Sequence, residues 1–330
     1  GALMLSLPVS HPDLIEFINL KTDLDRVTKA NISVMVTDEF MKAVQNDDEW
    51  IMKFEVKDTG EVITKKARAR DIMRLIAKNN WNVAEPGVLY WDRVEGWHLN
   101  SENPNFKYVS TNPCGEKPLP SGGSCMLGSM NLSEYVINPF TNKCKFDIDT
   151  FVKDVKEVVI YMNEVLEEGI QYLPLKEQRE SAENYRQLGI GVMGLADMFI
   201  KMGVTYGEEE SLELIRKIFS AMANASLQQS ALLAKKYGTY KAYDREAVLK
   251  SPYLNFVATK ETLDLIKKYG LRNAELLSIA PTGSISTMIG VRGGCDPIFQ
   301  NSYSRKSQSL GEDGEEVYYK VYTPIVREYM

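Results

Sequence analysis

The 330-residue sequence has only two histidines, His11 and His98, and four cysteines, Cys114, Cys125, Cys144 and Cys295. None of the cysteines forms a Cys-x-x-Cys pair, and the histidines lie far from them along the chain. Structural zinc sites normally show paired ligand spacing, so that class is not supported. So few cysteines in a chain of this size do not make a disulfide scaffold, which leaves the cytosol as the expected compartment. Lys and Arg do not cluster and the net charge is −6, which argues against a broad nucleic-acid-binding face. Because no run of about 18 apolar residues occurs, no membrane span is expected. The start, Gly1 to Leu7, lacks the basic flank of a signal peptide and an initiating Met, and reads as a strand entered partway along. Internal repeats and low-complexity runs are also missing.

Apolar residues make up 44% and charged residues 25%, ordinary for a globular protein able to bury a core. Leu3 to Leu7 predicts a short buried strand, followed by a turn at Ser10-His11-Pro12-Asp13 and a helix from Leu14 to Leu20. Ile32 to Val36 alternates like a strand, and Thr37 is placed to cap a helix carrying Phe40, Met41 and Val44. Met52 to Val56 and Glu61 to Thr64 flank Asp58-Thr59-Gly60, a hairpin signal, and Ala69 to Asn79 is helical in pattern. From Asn82 to Gly128 the periodicity fades amid five prolines. Its aromatics Trp91, Trp97, Phe106 and Tyr108 argue against disorder, so this irregular stretch is where chemistry is expected. Helical spacing returns at Phe151, Val155, Val159, Met162 and Leu166, with Gly169 in the place of a helix-ending glycine. Tyr185 to Met202, carrying Leu188-Gly189-Ile190-Gly191-Val192-Met193-Gly194, is read with these helices, and a further helix runs from Ser211 to Tyr237, closed by Gly238. Leu276 to Ser286 predicts a buried strand ending in a Pro-Thr-Gly turn. Strands and helices alternate, so the fold class is α/β.

Three stretches carry candidate chemistry. In Ser110-Thr111-Asn112-Pro113-Cys114-Gly115-Glu116, an amide, a thiol and a carboxylate stand two residues apart. If that loop is extended, all three project to one side of the chain. The same spacing also fits a proline-rich surface loop with an incidental cysteine. Cys125 follows eleven residues after Cys114, in Gly122 to Leu132. Two thiols near one pocket suit redox work, since a dithiol delivers two electrons by closing to a disulfide; alone, Cys125 also reads as a small buried hydrophobe. The third stretch, Ala280-Pro281-Thr282-Gly283-Ser284-Ile285-Ser286, offers backbone N–H groups and hydroxyls to an oxyanion, helped by a helix dipole if a helix starts after Gly283.

Together these motifs, in this order, resemble the ribonucleotide reductase large subunit, and the similarity runs over nearly the whole chain. The His11-Pro12-Asp13 turn, Asn31-Ile32-Ser33-Val34 with Thr37 to Met41, and Gly189 to Asp197 are similar to the same family. The resemblance implies a ten-stranded α/β barrel of two antiparallel half-barrels with a central finger loop, incomplete here at both ends. Residues 1–109 would be the remainder of the first half-barrel, 110–130 the finger loop and returning strand, and 131–330 the second half-barrel. Cys114 would become a thiyl radical and take the ribose 3′ hydrogen. Glu116 would take the 3′ hydroxyl proton, Asn112 would orient the ribose hydroxyls, and Cys125 would be one of two reducing thiols. Ser110, Thr111 and the turn Pro281, Thr282, Gly283, Ser284, Ile285 and Ser286 would bind substrate and its phosphates. Gly1 and Ala2 would be what remains of an allosteric specificity loop.

The wording Asn-Pro-Cys-Gly-Glu and Ala-Pro-Thr-Gly-Ser-Ile-Ser, with Pro86 to Arg93, resembles the adenosylcobalamin-dependent class II. The implied partners are a ribonucleoside di- or triphosphate, deoxynucleotide or ATP effectors, a thioredoxin- or glutaredoxin-type reductant, and a second copy in a homodimer. Two other readings stay open: a class I large subunit served by a separate metal radical subunit, and a non-catalytic nucleotide-binding fragment. The match has gaps. No cysteine precedes Cys114 to partner Cys125, and Gly294-Cys295-Asp296-Pro297 departs from the family's Gly-Ile-Glu-Pro. Turnover by the chain alone is therefore not expected. Cys295 is expected as core filler, and Cys144 is assigned no role.

Overall fold

In a computed structural model of the chain, residues 2–23, 27–307 and 317–329 are described. The chain divides into two compact units, residues 1–123 with 244–256, and residues 124–243 with 257–330.

The first unit is built on a parallel three-stranded sheet with Ala30–Val36 in the middle, flanked by Leu3–Pro8 and Gly87–Tyr90. The central strand is buried at six of its seven positions, as a parallel strand covered on both faces should be. Leu3–Pro8, in contrast, is an edge strand with Leu3 and Leu5 exposed, not the buried strand expected from its run of apolar residues. Apolar content alone does not tell a central strand from an edge. The helices Leu14–Ile18, Asp38–Asn46 and Ala69–Val83 bury Leu14, Ile18, Phe40, Ile72 and Ile76 with Val34 and Val36 of the sheet. Each such side chain contributes about 1.5–3 kcal/mol. The Thr37 hydroxyl accepts from the Phe40 N–H at 3.1 Å, the cap anticipated from sequence. Glu49–Glu55 and Val62–Arg68 pair antiparallel as the expected hairpin.

The second unit centres on a parallel pair, Met126–Asn131 with Leu188–Met193. A single bridge from Ile190 to Leu277 adds a third chain segment. The helices Ile148–Ile170 and Glu209–Tyr237 pack against each other, and the first also packs on both strands. Three expectations need correcting. Leu188–Met193 is a strand buried at every position, and only Leu195–Met202 is helical; the glycines that interrupt the apolar run cost about 1 kcal/mol each in a helix but permit close contact in a sheet. Leu276 to Ser286 is not a continuous strand: only Leu277 pairs, and a helix begins at Gly283. Gly169 lies inside the long helix, which continues to Ile170 and is capped by Gln171.

The content is mixed α/β, as expected, and the described strands form one three-stranded and several two-stranded sheets without a closed barrel. Among the described residues no helix is long and apolar enough to cross a membrane.

In the second unit the chain packs closely at Gly191, where an added Cβ would lie 2.3 Å from the Ser278 carbonyl oxygen. Because backbone cannot swing away as a side-chain tip can, Gly191→Ala is expected to cost about 1–3 kcal/mol by overpacking. A shift of the urea midpoint to lower concentration would show it; an unchanged midpoint would contradict the packing described.

Candidate functional site

The first candidate group lies on a short hairpin of the first unit. Ser110–Thr111 pairs antiparallel with Pro118–Leu119, and the chain reverses between them. The reversal is tied by backbone bonds from Asn112 N to Lys117 O and from Gly115 N to Asn112 O, both 3.0 Å. The Asn112 side-chain oxygen accepts from the Lys117 N–H, also at 3.0 Å. Asn112, Cys114 and Glu116 are therefore set around a turn and do not alternate along an extended strand. Gly115 makes the turn possible with φ of 85°, in the left-handed region.

Neighbouring strands brace this loop. The Asn31 amide, on the central strand, donates to the Pro113 carbonyl at 2.7 Å, and the hydroxyls of Ser6 and Ser110 lie 2.8 Å apart. Asn31 was visible in sequence only as part of a motif; its role as a brace needed the fold. Thr111 and Lys117 are buried, Asn112 and Glu116 are half-buried, and Cys114 at the tip is exposed. The described residues therefore leave that sulfur open to solvent. Open space surrounds the adjacent Gly115, where an added Cβ would meet nothing within 4 Å.

Cys125 belongs to the second unit, just before the Met126–Asn131 strand, and is half-buried. Its sulfur packs over Gly189, where a Cβ would approach it to 2.6 Å and Ser278 Cβ to 3.1 Å. Gly189 therefore brings the thiol and Ser278 together on one strip of the strand. Ser278 leads directly into the third candidate group, the turn at 281–286.

In that turn Thr282 stands in the left-handed region with φ of 51° and ψ of 27°, a conformation costing a β-branched residue about 1–3 kcal/mol. The helix Gly283–Ile289 comes next, and the amides of Gly283, Ser284 and Ile285 in its first turn have no intrahelical acceptor. Pro281, Gly283, Ser284 and Ile285 are exposed, Thr282 is half-buried and Ser286 is buried. A cavity of about 560 Å³ opens beside the turn, lined in part by Pro281, Gly283, Ser286, Arg292, Arg305 and Lys306. Hydroxyl-bearing residues and cations around one cavity suit an anionic ligand.

The remaining cysteines are free thiols. Cys144 donates to the Lys201 carbonyl at 3.5 Å, and burial pushes its thiol pKa up. Burial, and then the neighbouring Asp296 charge, do the same for Cys295. Among the described residues no group of three or more His, Cys, Asp or Glu is arranged to hold a metal ion. Of the two N-terminal residues singled out, Ala2 is exposed and Gly1 lies outside the described residues.

Residues 1–328 match the family described as ribonucleotide reductase, barrel domain, and the chain belongs to that family. It is 34% identical over 310 residues to a vitamin B12-dependent ribonucleoside-diphosphate reductase of Thermoplasma acidophilum, covering 92% of this chain and 36% of that protein. A protein of the same description from Mycobacterium tuberculosis is 29% identical over 309 residues, covering 92% and 40%. The ribonucleoside-diphosphate reductase large subunit of Caenorhabditis elegans is 27% identical over 347 residues, covering 93% and 42%. The chain therefore spans between 36% and 42% of the length of these relatives.

Exposure and burial predict an order of thiol reactivity. At neutral pH, iodoacetamide should label Cys114 first and Cys144 and Cys295 last, because only thiolate reacts. A thiol whose pKa is raised forms thiolate only at higher pH than usual, so labelling of the last two should climb in alkaline buffer. Mass mapping that found Cys295 modified before Cys114 would contradict the burial described.

Proposed function

We propose that this chain is the catalytic-core segment of a ribonucleotide reductase of the adenosylcobalamin-dependent class, converting ribonucleoside di- or triphosphates to 2′-deoxyribonucleotides. The observation that carries the reading is a thiol at the tip of a tied and braced hairpin, flanked by Asn112 and Glu116, in a chain of this family. The ten-stranded barrel, with 1–109 and 131–330 in opposite halves around 110–130, belongs to the same proposal.

In this reading Cys114 becomes a thiyl radical and abstracts the 3′ hydrogen atom of the ribose. Glu116 accepts the 3′ hydroxyl proton, for which it must be ionised and within hydrogen-bond reach. The Asn112 oxygen is engaged by Lys117, so its N–H2 is the end that orients a ribose hydroxyl. Cys125 and a second thiol reduce the product radical by closing to a disulfide. The Thr282 to Ser286 turn holds the phosphates through amides and hydroxyls. A thiyl radical persists only where water is excluded, and Cys114 is exposed here. The proposal therefore assigns its cover to the part of a reductase that lies beyond the span matched in the relatives.

An exposed thiol is what a hydrogen-atom acceptor from outside this chain must reach, and several relatives are named vitamin B12-dependent. Both support adenosylcobalamin as the cofactor, which when bound supplies the radical that draws a hydrogen atom from a thiol. A thioredoxin- or glutaredoxin-type reductant, deoxynucleotide or ATP effectors, a homodimer and a cytoplasmic location complete the proposal.

A second reading is a class I large subunit, favoured by the similarity to the Caenorhabditis elegans protein. A third, a nucleotide-binding segment without turnover of its own, is favoured by the lack of a cysteine before Cys114 to partner Cys125. The complete gene product, given adenosylcobalamin, dithiol and a ribonucleoside diphosphate, should form deoxynucleotide. Cys114→Ala should reduce this to background, and Glu116→Gln should lower kcat roughly 10²–10⁴-fold. Full activity of Cys114→Ala would overturn the radical mechanism. Activity only with a separate metal-containing subunit would select class I, and nucleotide binding in calorimetry without turnover would select the third reading.

A further inference from the structure

The turn at 281–286 is held from outside by a strap, residues 292–294. Gly293 passes so close that an added Cβ would lie 2.7 Å from the Pro281 carbonyl oxygen, 3.2 Å from Ser286 Oγ and 3.3 Å from Thr282 Oγ1. The next residue donates its N–H: Gly294 N to Thr282 Oγ1 is 2.8 Å. That bond falls on the residue whose backbone is strained, with φ of 51°. A strained conformation persists only where its surroundings determine it, and here the strap is part of those surroundings.

The strap is in turn anchored to the start of the Leu195–Met202 helix. The Gly194 N–H donates to the Arg292 carbonyl at 2.7 Å, and the Arg292 N–H donates to Asp197 Oδ2 at 2.7 Å. The side chain of Asp197 thus supplies the acceptor that a partner strand would otherwise give. Asp197 is 2% exposed and lines the cavity beside the turn. The charged groups around it are Lys201 on its own helix, which pairs with Glu328 at 3.0 Å, and the Arg292 side chain, which reaches Asp296 at 3.4 Å. Desolvation first of all pushes the Asp197 carboxyl up, opposed by the Arg292 N–H bond. Keeping a carboxyl at such a position is costly, which argues for a local task.

We infer that Asp197 is a positioning residue for the anion-binding turn, acting through Arg292 and Gly294 to hold Thr282 and the amides of residues 283–285 in the geometry that receives phosphate oxygens. The inference rests on the reading of this turn as the phosphate site, and it assigns Asp197 no contact with substrate. It acts on binding of the phosphate end and not on the radical chemistry, so its signature is a KM effect with kcat retained.

The test uses the complete gene product and inorganic pyrophosphate as the binding probe, with KM and kcat for a ribonucleoside diphosphate measured in parallel. Asp197→Ala should raise the pyrophosphate Kd and the KM roughly tenfold, the scale of one hydrogen bond to a charged group. Asp197→Asn keeps an acceptor for the Arg292 N–H and should recover most of that loss. Gly293→Ala, which displaces the strap from its other end, should mimic Asp197→Ala, and the double variant should be less than additive because both act through one strap. Unchanged pyrophosphate affinity in folded Asp197→Ala and Gly293→Ala proteins would overturn the inference, as would a fall in kcat with KM unchanged. Should the wild type bind pyrophosphate yet form no deoxynucleotide, the reductase reading fails while the Kd series still decides the role of Asp197.

Discussion

The second unit depends on one close approach, the passage of Ser278 over the Leu188–Met193 strand. At Gly189 and Gly191 a hydrogen atom stands where any other residue would place a carbon within 3.1 Å of Ser278 atoms. Removing those side chains lets the Ser278 N–H bond the Ile190 carbonyl at 3.1 Å, and the Ile190 N–H bond the Leu276 carbonyl at 2.8 Å. The chain beyond Ser278 is thereby tied to the sheet only a few residues before it enters the strained turn at Thr282. The same strip seats the Cys125 sulfur. A thiol and the turn proposed to bind phosphate are thus positioned by one pair of absent side chains.

The Cys114 hairpin is secured by different means. Its two-residue strands are too short to hold a register by themselves. Hydrogen bonds made by Asn112 within the loop and by Asn31 and Ser6 outside it supply what the ladder lacks. Hydrogen bonds of this kind contribute about 0.5–1.5 kcal/mol each, and their geometric effect matters more than their sum. They leave the sulfur at a fixed, exposed tip, a form suited to reaction with something brought to it.

Family and motif order were legible in the amino-acid sequence because the chemistry-bearing residues lie close together along it: Asn112, Cys114 and Glu116 in one loop, Thr282 to Ser286 in another. Local signals also read correctly where one residue decides the outcome, as at the Thr37 cap and at Gly238 after the long helix. The Leu188–Met193 segment misled because its glycines weaken a helix and a strand alike; only the contact with Ser278 shows why they are there. Asp197 gave no signal of its own, since a carboxylate in the first turn of a helix is ordinary there. Its meaning lies in the bond to Arg292, across 95 residues.

The sequence by itself determined the α/β class and the family, since these depend on residue type and short spacing, and it singled out the side chains proposed for radical, redox and anion-binding work. The tertiary structure alone decided that the Asn112 to Glu116 loop is a turn, that Cys114 is exposed, that Leu3–Pro8 is an edge, that Asp197 bonds Arg292 and that Gly293 packs on the turn at 281–286. Those outcomes depend on which distant segments meet, and a segment's own propensity carries no record of the neighbour that will bury or brace it.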